Sequence, residues 1–184
     1  MGNDDTGHRS TGAPSPWILR FAGQVRKRGA VVDIACGGGR HGRLFLERGH
    51  PVTFVDIDVS GVADLKGKPG VGIVEADLEG SAAWPLAGRD FAAVVAANYL
   101  WRPVLAKVVD LAGPQGLLLY ETFARGNEAY GRPRNPDFLL EPGELFEAVR
   151  GRLEVIAYEQ RLIAEPRPAV IQHIAARRLS PPGG

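Results

Sequence analysis

An acidic residue near the end of an apolar run, followed four positions later by three consecutive glycines, most narrows what this chain can fold into. Residues 31–39 are Val-Val-Asp-Ile-Ala-Cys-Gly-Gly-Gly, and Arg40-His41-Gly42-Arg43-Leu44-Phe45-Leu46-Glu47-Arg48-Gly49 follow. Val31 to Ala35 predict a short strand. Gly37–Gly38–Gly39 predict a tight turn, and a helix is expected from about Arg40 to just before Gly49, a residue suited to a left-handed closing position. Strand, glycine turn and helix N-terminus together make a nucleotide-binding corner. The missing side chains let a ligand approach the backbone, and the free N–H groups of the helix start attract an anion.

Two ligands compete for such a corner. Gly37, Gly39 and Gly42 satisfy G-x-G-x-x-G, and Asp56 ends the next apolar run, as a dinucleotide site would require. Asp33 opposes that reading, because a carboxylate beside a pyrophosphate is repelled by it. A ligand carrying both an ammonium and a sulfonium gains from the same carboxylate, and S-adenosylmethionine carries both.

The run Asp33-Ile34-Ala35-Cys36-Gly37-Gly38-Gly39 resembles motif I of the class I S-adenosylmethionine-dependent methyltransferases, acid-x-Gly-x-Gly-x-Gly. Ala35 stands where the pattern has its first glycine, a change that is tolerated if the backbone there has negative φ. The resemblance implies a Rossmann-like α/β fold: a seven-stranded, mostly parallel sheet with helices on both faces and a C-terminal antiparallel hairpin. It also implies S-adenosylmethionine as cofactor. Asp33, Ala35, Cys36, Gly37 and Gly39 would lie along its amino-acid part, and Asp56 with Ile57 at its ribose diol. Asp77 and Leu78 would meet the adenine, and Asn98 would line the methyl site. As alternatives, Asp56 caps the following turn and Asp77 is an ordinary turn aspartate. Tyr120-Glu121-Thr122-Phe123 and Pro133-Arg134-Asn135-Pro136-Asp137-Phe138 resemble a bacterial branch near the tellurite-resistance-type small-molecule methyltransferases.

The rest of the chain alternates strand and helix signals. Ser15-Pro16 predict a helix start, with Ser15 as N-cap and Trp17, Ile18, Phe21 and Val25 on an apolar face. Trp17 is read as core-packing, with contact to a bound ligand as the alternative. Strands are expected over Pro51–Asp56, Gly70–Glu75, Asp90–Ala97 and Gly116–Thr122, and a short Asp58-capped helix over Val59–Lys66. Pro103–Ala112 and Glu141–Arg150 predict two further helices. Leu153–Tyr158 and Ala169–Arg177 predict the final hairpin. Phe123–Leu140 has no periodicity and would lie at the carboxyl ends of the strands, where ligands bind in such sheets, so it is the expected acceptor lid. Tyr99, Trp101, Glu121, Tyr130 and Arg134 are the candidate acceptor contacts, with plain packing of Tyr99 and Trp101 and a solvated basic loop at Arg134 as the alternatives, and no catalytic base is assigned.

Length and charge bound the remaining possibilities. The chain has 184 residues, expected as one domain over residues 15–179 between a flexible leader, 1–14, and a disordered tail, 180–184. A net charge of +1 argues against binding nucleic acid through its backbone. No stretch approaches a membrane span, and a single cysteine suits a cytoplasmic setting. His8, His41, His50 and His173 are scattered, so no metal site is expected, and His41 is read as a surface residue. Cys36 is read as a small side chain filling a tight loop. The expected activity is methyl transfer from S-adenosylmethionine to a small-molecule acceptor, with the oligomeric state open. The alternatives are a non-catalytic cofactor-binding subunit and an NAD(P)-dependent oxidoreductase.

Overall fold

The computed structural model describes residues 12–179, so the tail and most of the leader expected from the sequence lie outside the described residues. Seven strands form one sheet: β1 (Val31–Ile34), β2 (Val52–Asp56), β3 (Val71–Glu75), β4 (Phe91–Ala97), β5 (Ala112–Phe123), β6 (Glu154–Ile163) and β7 (Ala169–Arg177). Their order is β3-β2-β1-β4-β5-β7-β6. The pairings from β3 through β5 are parallel, while β7 runs antiparallel to both β5 and β6.

The residues of the central strands explain their place. β1 and β4 are apolar almost throughout and buried on both sides, as a parallel strand covered by helices on each face must be. The period of two sends Val32, Ile34, Val94, Ala96, Leu118 and Tyr120 to one face, against α3 (Arg102–Asp110) and α4 (Glu144–Val149). Val31, Val95, Leu117 and Leu119 point to the other, against α1 (Pro16–Ala22), α2 (Arg40–Glu47) and a 3-10 helix over Val59–Leu65. The lone polar member of β1, Asp33, follows the same alternation toward α2.

Helix boundaries follow local chemistry. Ser15 caps α1, its hydroxyl accepting from the Trp17 N–H at 3.1 Å, with Pro16 in the first turn. The Asp58 carboxylate caps the 3-10 helix by accepting from Ser60 N–H. Gly42 on α2 lies so close to β2 that an added Cβ would stand 2.2 Å from Cε1 of Phe54, so that helix and strand can pack only through a glycine.

Two expectations are corrected. The helix expected to reach Ala112 ends at Asp110, because Ala112 pairs with Phe91 and starts β5 through an irregular register. β6 extends to Ile163, well past Tyr158, because the β7 partner strand continues to Ala169. The aperiodic segment read as the acceptor lid is folded. It holds 3-10 turns at Asn127–Ala129 and Pro136–Phe138 and is tied at its base by the Leu140 N–H to Phe123 O hydrogen bond. Arg102 clamps it, donating to the carbonyls of Asp137 and Leu139 and pairing with both Glu144 carboxylate oxygens.

Charge is distributed unevenly along the strand direction. Arg26, Lys27, Arg28 and Arg48 precede β1 and β2 at their amino ends, and none of them pairs with a carboxylate among the described residues. Lys27, Arg28 and Arg48 line a cavity of about 370 Å³ there.

Candidate functional site

A second cavity, of about 440 Å³, opens at the carboxyl ends of the parallel strands. It begins at Ala35 after β1, passes Asp56 and Ile57 after β2, and reaches Ala76, Asp77, Leu78 and Glu79 after β3; Tyr99, after β4, completes it. Connections leave β1 toward β2 and β4 toward β5 on opposite sides of the sheet. The crevice this reversal makes is where open α/β sheets place ligands, and its volume lies in the usual range for a small-molecule site, ~300–1,000 Å³.

The polar groups of this wall are mostly engaged by backbone and still have capacity. Asp56 Oδ2 accepts from Gly37 N–H at 2.7 Å and Oδ1 from Asp58 N–H at 3.1 Å. An ionised carboxylate has about four lone-pair positions, so each oxygen keeps one for a ligand. Asp77 Oδ1 accepts from Glu79 N–H at 2.8 Å. The Tyr99 hydroxyl is buried without a hydrogen-bond partner among the described residues. Burial first, then the nearby charges of Glu79, Asp77 and Asp56, raise its pKa well above the ordinary phenol value, so it stays a protonated donor.

The glycine loop gives two kinds of glycine. At Gly37, φ is +52° and an added Cβ would meet nothing within 4 Å, so its open side faces space. At Gly39, φ is +72° and an added Cβ would press on Val62 and Phe54, so this glycine serves packing as well as conformation. Ala35 corrects an expectation. Its φ is +52°, not negative. The alanine occupies the left-handed region that motif I reserves for glycine, at a cost of ~1–2 kcal/mol for an L residue.

Asp33 lies beneath the loop. Its Oδ2 accepts from Gly42 N–H at 2.8 Å, giving α2 the cap that its N-cap residue, Gly39, cannot provide. Burial pushes this carboxyl up to about 7, against the lowering pull of the Gly42 N–H and Arg40. Cys36 is buried, and the same desolvation drives its thiol far above the usual range, which leaves it an unreactive filler of the loop.

Toward β5 the geometry diverges from the sequence reading. Asn98 is exposed, at φ +57°, and its N–H donates to Glu121 O at 2.9 Å. It adjoins the cavity through Tyr99 rather than lining it. Trp101 packs against the α3–α4 side of the core. Tyr130 and Arg134 are exposed on the folded segment and contribute nothing to the cavity wall. Glu121 is buried at the end of β5, and Ser15 Oγ donates to its Oε2 at 2.5 Å.

His41 overturns its surface assignment. It is 4% exposed, and its Nε2 accepts from Ser15 N–H at 3.2 Å. Desolvation, aided by Arg40, lowers its pKa to about 4, so the ring is neutral. No local pattern marks this contact, because its partners lie 26 residues apart. Among the described residues no three His, Cys, Asp or Glu side chains gather as a metal site would need, and no helix is long and apolar enough to cross a membrane.

No protein-family profile matches the sequence, and no curated protein does. Solved structures do match. TehB from Haemophilus influenzae superposes with a TM-score of 0.68 at 16% identity over 88% of this chain, which spans only 61% of TehB's length. A Methanosarcina mazei S-adenosylmethionine-dependent methyltransferase gives 0.66 at 14% identity, over 92% of this chain and all of its own. The Burkholderia thailandensis 1,6-didemethyltoxoflavin-N1-methyltransferase, solved with its substrate and S-adenosylhomocysteine, gives 0.63 at 18% identity, over 96% of this chain and 80% of its own. The strand order, the single antiparallel insertion and these superpositions agree: the chain has the Rossmann-like fold of the S-adenosylmethionine-dependent methyltransferases.

Proposed function

We propose that this protein transfers a methyl group from S-adenosylmethionine to a small-molecule acceptor. The observation that carries the reading is the acidic cavity at the reversal point of the sheet, with Asp56 and Asp77 on its wall and the unpartnered Tyr99 hydroxyl in it. Three of its eight lining residues are acidic and none is basic, which suits a ligand of positive charge and disfavours a pyrophosphate. The antiparallel β7 between β5 and β6 also departs from the 3-2-1-4-5-6 order of dinucleotide-binding sheets.

The roles follow from position. Asp56 holds the two ribose hydroxyls with the lone pairs its backbone donors leave free. Asp77 accepts from the adenine amino group while the Leu78 backbone N–H meets the ring. Ala35, Cys36 and Gly37 let the amino-acid part pass close to the backbone. Asp33, its Oδ2 held by the Gly42 N–H beneath the loop, faces its ammonium. When bound, S-adenosylmethionine supplies an electrophilic methyl group. The chain's own work is to bring the acceptor into line and exclude water, which contributes up to ~7–11 kcal/mol in well-oriented reactions. Small-molecule methyltransferases among the solved structures support a small acceptor.

Calorimetric titration with S-adenosylmethionine, S-adenosylhomocysteine and NADH tests this directly. Micromolar binding of the first two, abolished in Asp56→Ala, is the expected result. Preference for NADH, or no binding of either adenosyl ligand, would overturn it.

A further inference from the structure

Five polar or aromatic groups from four elements converge at the carboxyl end of β5. Glu121 Oε2 accepts from Ser15 Oγ of the α1 N-cap at 2.5 Å and lies 3.6 Å from His173 Nε2 on β7. Ser15 N–H donates to His41 of α2, and the Trp17 ring stacks on His173 with centroids 5.0 Å apart. Ser15, Trp17, His41, Glu121 and His173 are all at most 8% exposed. On each strand the polar residue ends an apolar column, Leu117–Leu119 on β5 and Ala175 on β7.

Such a cluster is costly to build for stability alone. A buried carboxylate loses hydration that one hydroxyl does not replace. Two further polar atoms in it, Trp17 Nε1 and His173 Nδ1, are buried without any protein partner among the described residues. The cluster also lies one strand beyond the cavity: the N–H of Asn98, next to Tyr99, is bonded to the carbonyl of Glu121 itself. Neighbouring strands are ~4.8 Å apart, so Glu121 stands one strand spacing from the Asn98–Tyr99 end of β4, under the α1 N-cap and outside the cavity's own lining. Among the described residues the only side chain hydrogen-bonded to its carboxylate is Ser15, on the short helix that covers it, with His173 Nε2 beside it at 3.6 Å.

We propose that Glu121, backed by His173, is the proton acceptor for a methyl acceptor that carries an ionisable X–H group, an amine or a hydroxyl. This rests on the methyltransferase reading above. The acceptor displaces Ser15 and places X–H against the Glu121 carboxylate. The lone pair of X forms the X–CH3 bond as the S–CH3 bond breaks, the released electron pair stays on sulfur, and the proton passes from X to a Glu121 oxygen. The groups acting on that carboxylate are Ser15 from α1, Arg40 from α2 and His173 from β7, while Trp17 stacks on His173 and His41 accepts from the Ser15 N–H.

The test needs no acceptor. Sinefungin carries an amine-bearing carbon in place of the methylated sulfonium, so its ammonium stands where the transferable methyl does and reports whether a carboxylate faces that point from the acceptor's side. Calorimetry compares sinefungin with S-adenosylhomocysteine on the wild type, Glu121→Gln and Glu121→Asp. The expected result is a preference for sinefungin of about tenfold in the wild type, the scale of one charge-assisted hydrogen bond. Glu121→Gln would lose that preference, Glu121→Asp would keep part of it, and S-adenosylhomocysteine affinity would stay unchanged in all three. An equal preference in wild type and Glu121→Gln, or none in the wild type, would overturn the proposal while leaving the cofactor reading intact. Failure of S-adenosylhomocysteine to bind the wild type would overturn the cofactor reading, and the proposal with it. If Glu121→Gln alone lost S-adenosylhomocysteine, the wild-type preference and the Glu121→Asp value would decide.

Discussion

Replacing Asp33 by Asn should stabilise this protein at neutral pH and weaken its cofactor binding. The carboxyl is fully buried, and burial raises it from an ordinary 3.8 to about 7. A group raised on folding contributes stability that is complete below its unfolded value and is lost as pH rises through its folded value. At about 1.36 kcal/mol per pH unit, the rise corresponds to roughly 4 kcal/mol lost between pH 4 and pH 7. Asn keeps an oxygen to accept from Gly42 N–H and never ionises, but it buries an amide NH2 at a cost of ~1–3 kcal/mol. The variant should therefore be about 1–3 kcal/mol more stable at pH 8 and no more stable than wild type at pH 4.5. Urea unfolding of both proteins at the two pH values measures the swing. A difference that changes by less than about 1 kcal/mol between them would refute the reasoning, because an ionising buried carboxyl cannot leave it constant. Calorimetry on the same pair should show weaker S-adenosylmethionine binding in the more stable protein.

Other consequences are as direct. Gly42→Ala drives a methyl into the Phe54 ring and should cost ~1–3 kcal/mol, read as a Tm drop of several degrees; an unchanged Tm would mean that helix and strand separate freely. Ala35→Gly relieves left-handed strain but adds freedom to the unfolded chain, so the net gain should be between 0 and ~1 kcal/mol by denaturant titration, and a clear loss would contradict the positive φ. His41 and His173 are both lowered to about 4, chiefly by desolvation, so their contribution is present above pH 6.5 and lost as pH falls toward 4. For the more deeply buried His41 that is on the order of 3 kcal/mol. Proton NMR should find neither ring titrating between pH 5 and 8, and a midpoint near 6.5 would show the cluster to be open to water.

What the sequence revealed was what short spacings encode. The turn after β1, the Ser15 and Asp58 caps, and the acidic residues ending β2 and following β3 each depend on neighbours within a few positions. The expected strands and helices appear because period and punctuation are local. The Ala35 conformation was hidden, since an alanine in a glycine position does not reveal which φ the surrounding turn imposes. The Ser15–Glu121–His173 cluster was hidden for another reason. Ser15 and Glu121 are 106 residues apart, and only the folding of α1 over the end of β5 brings them together. His41 looked like a surface residue because the helix face it occupies is covered by that same distant helix. Tyr130 and Arg134 are read as acceptor contacts from the segment's length, its place at the carboxyl ends of the strands and their stacking and cationic side chains; the shape of that segment, held by Arg102 through two carbonyls, is not legible locally.

The uneven charge noted along the strands has a kinetic consequence. Cations without a carboxylate partner among the described residues stand at the amino ends of β1 and β2, and Asp56, Asp77 and Glu79 at the opposite end of the sheet, so these two groups of opposite charge are separated along the strands. A five-residue strand spans ~16 Å, longer than the ~8–10 Å over which physiological salt screens charge, so the two poles act on approaching solutes independently. On the proposed function, a cationic cofactor would be drawn to the acidic mouth, while the thioether left after its methyl departs would have lost the charge that attracted it. Capture of S-adenosylmethionine should therefore slow as ionic strength rises, and that of S-adenosylhomocysteine should change less. The field would thus favour arrival of the charged form over return of the spent one.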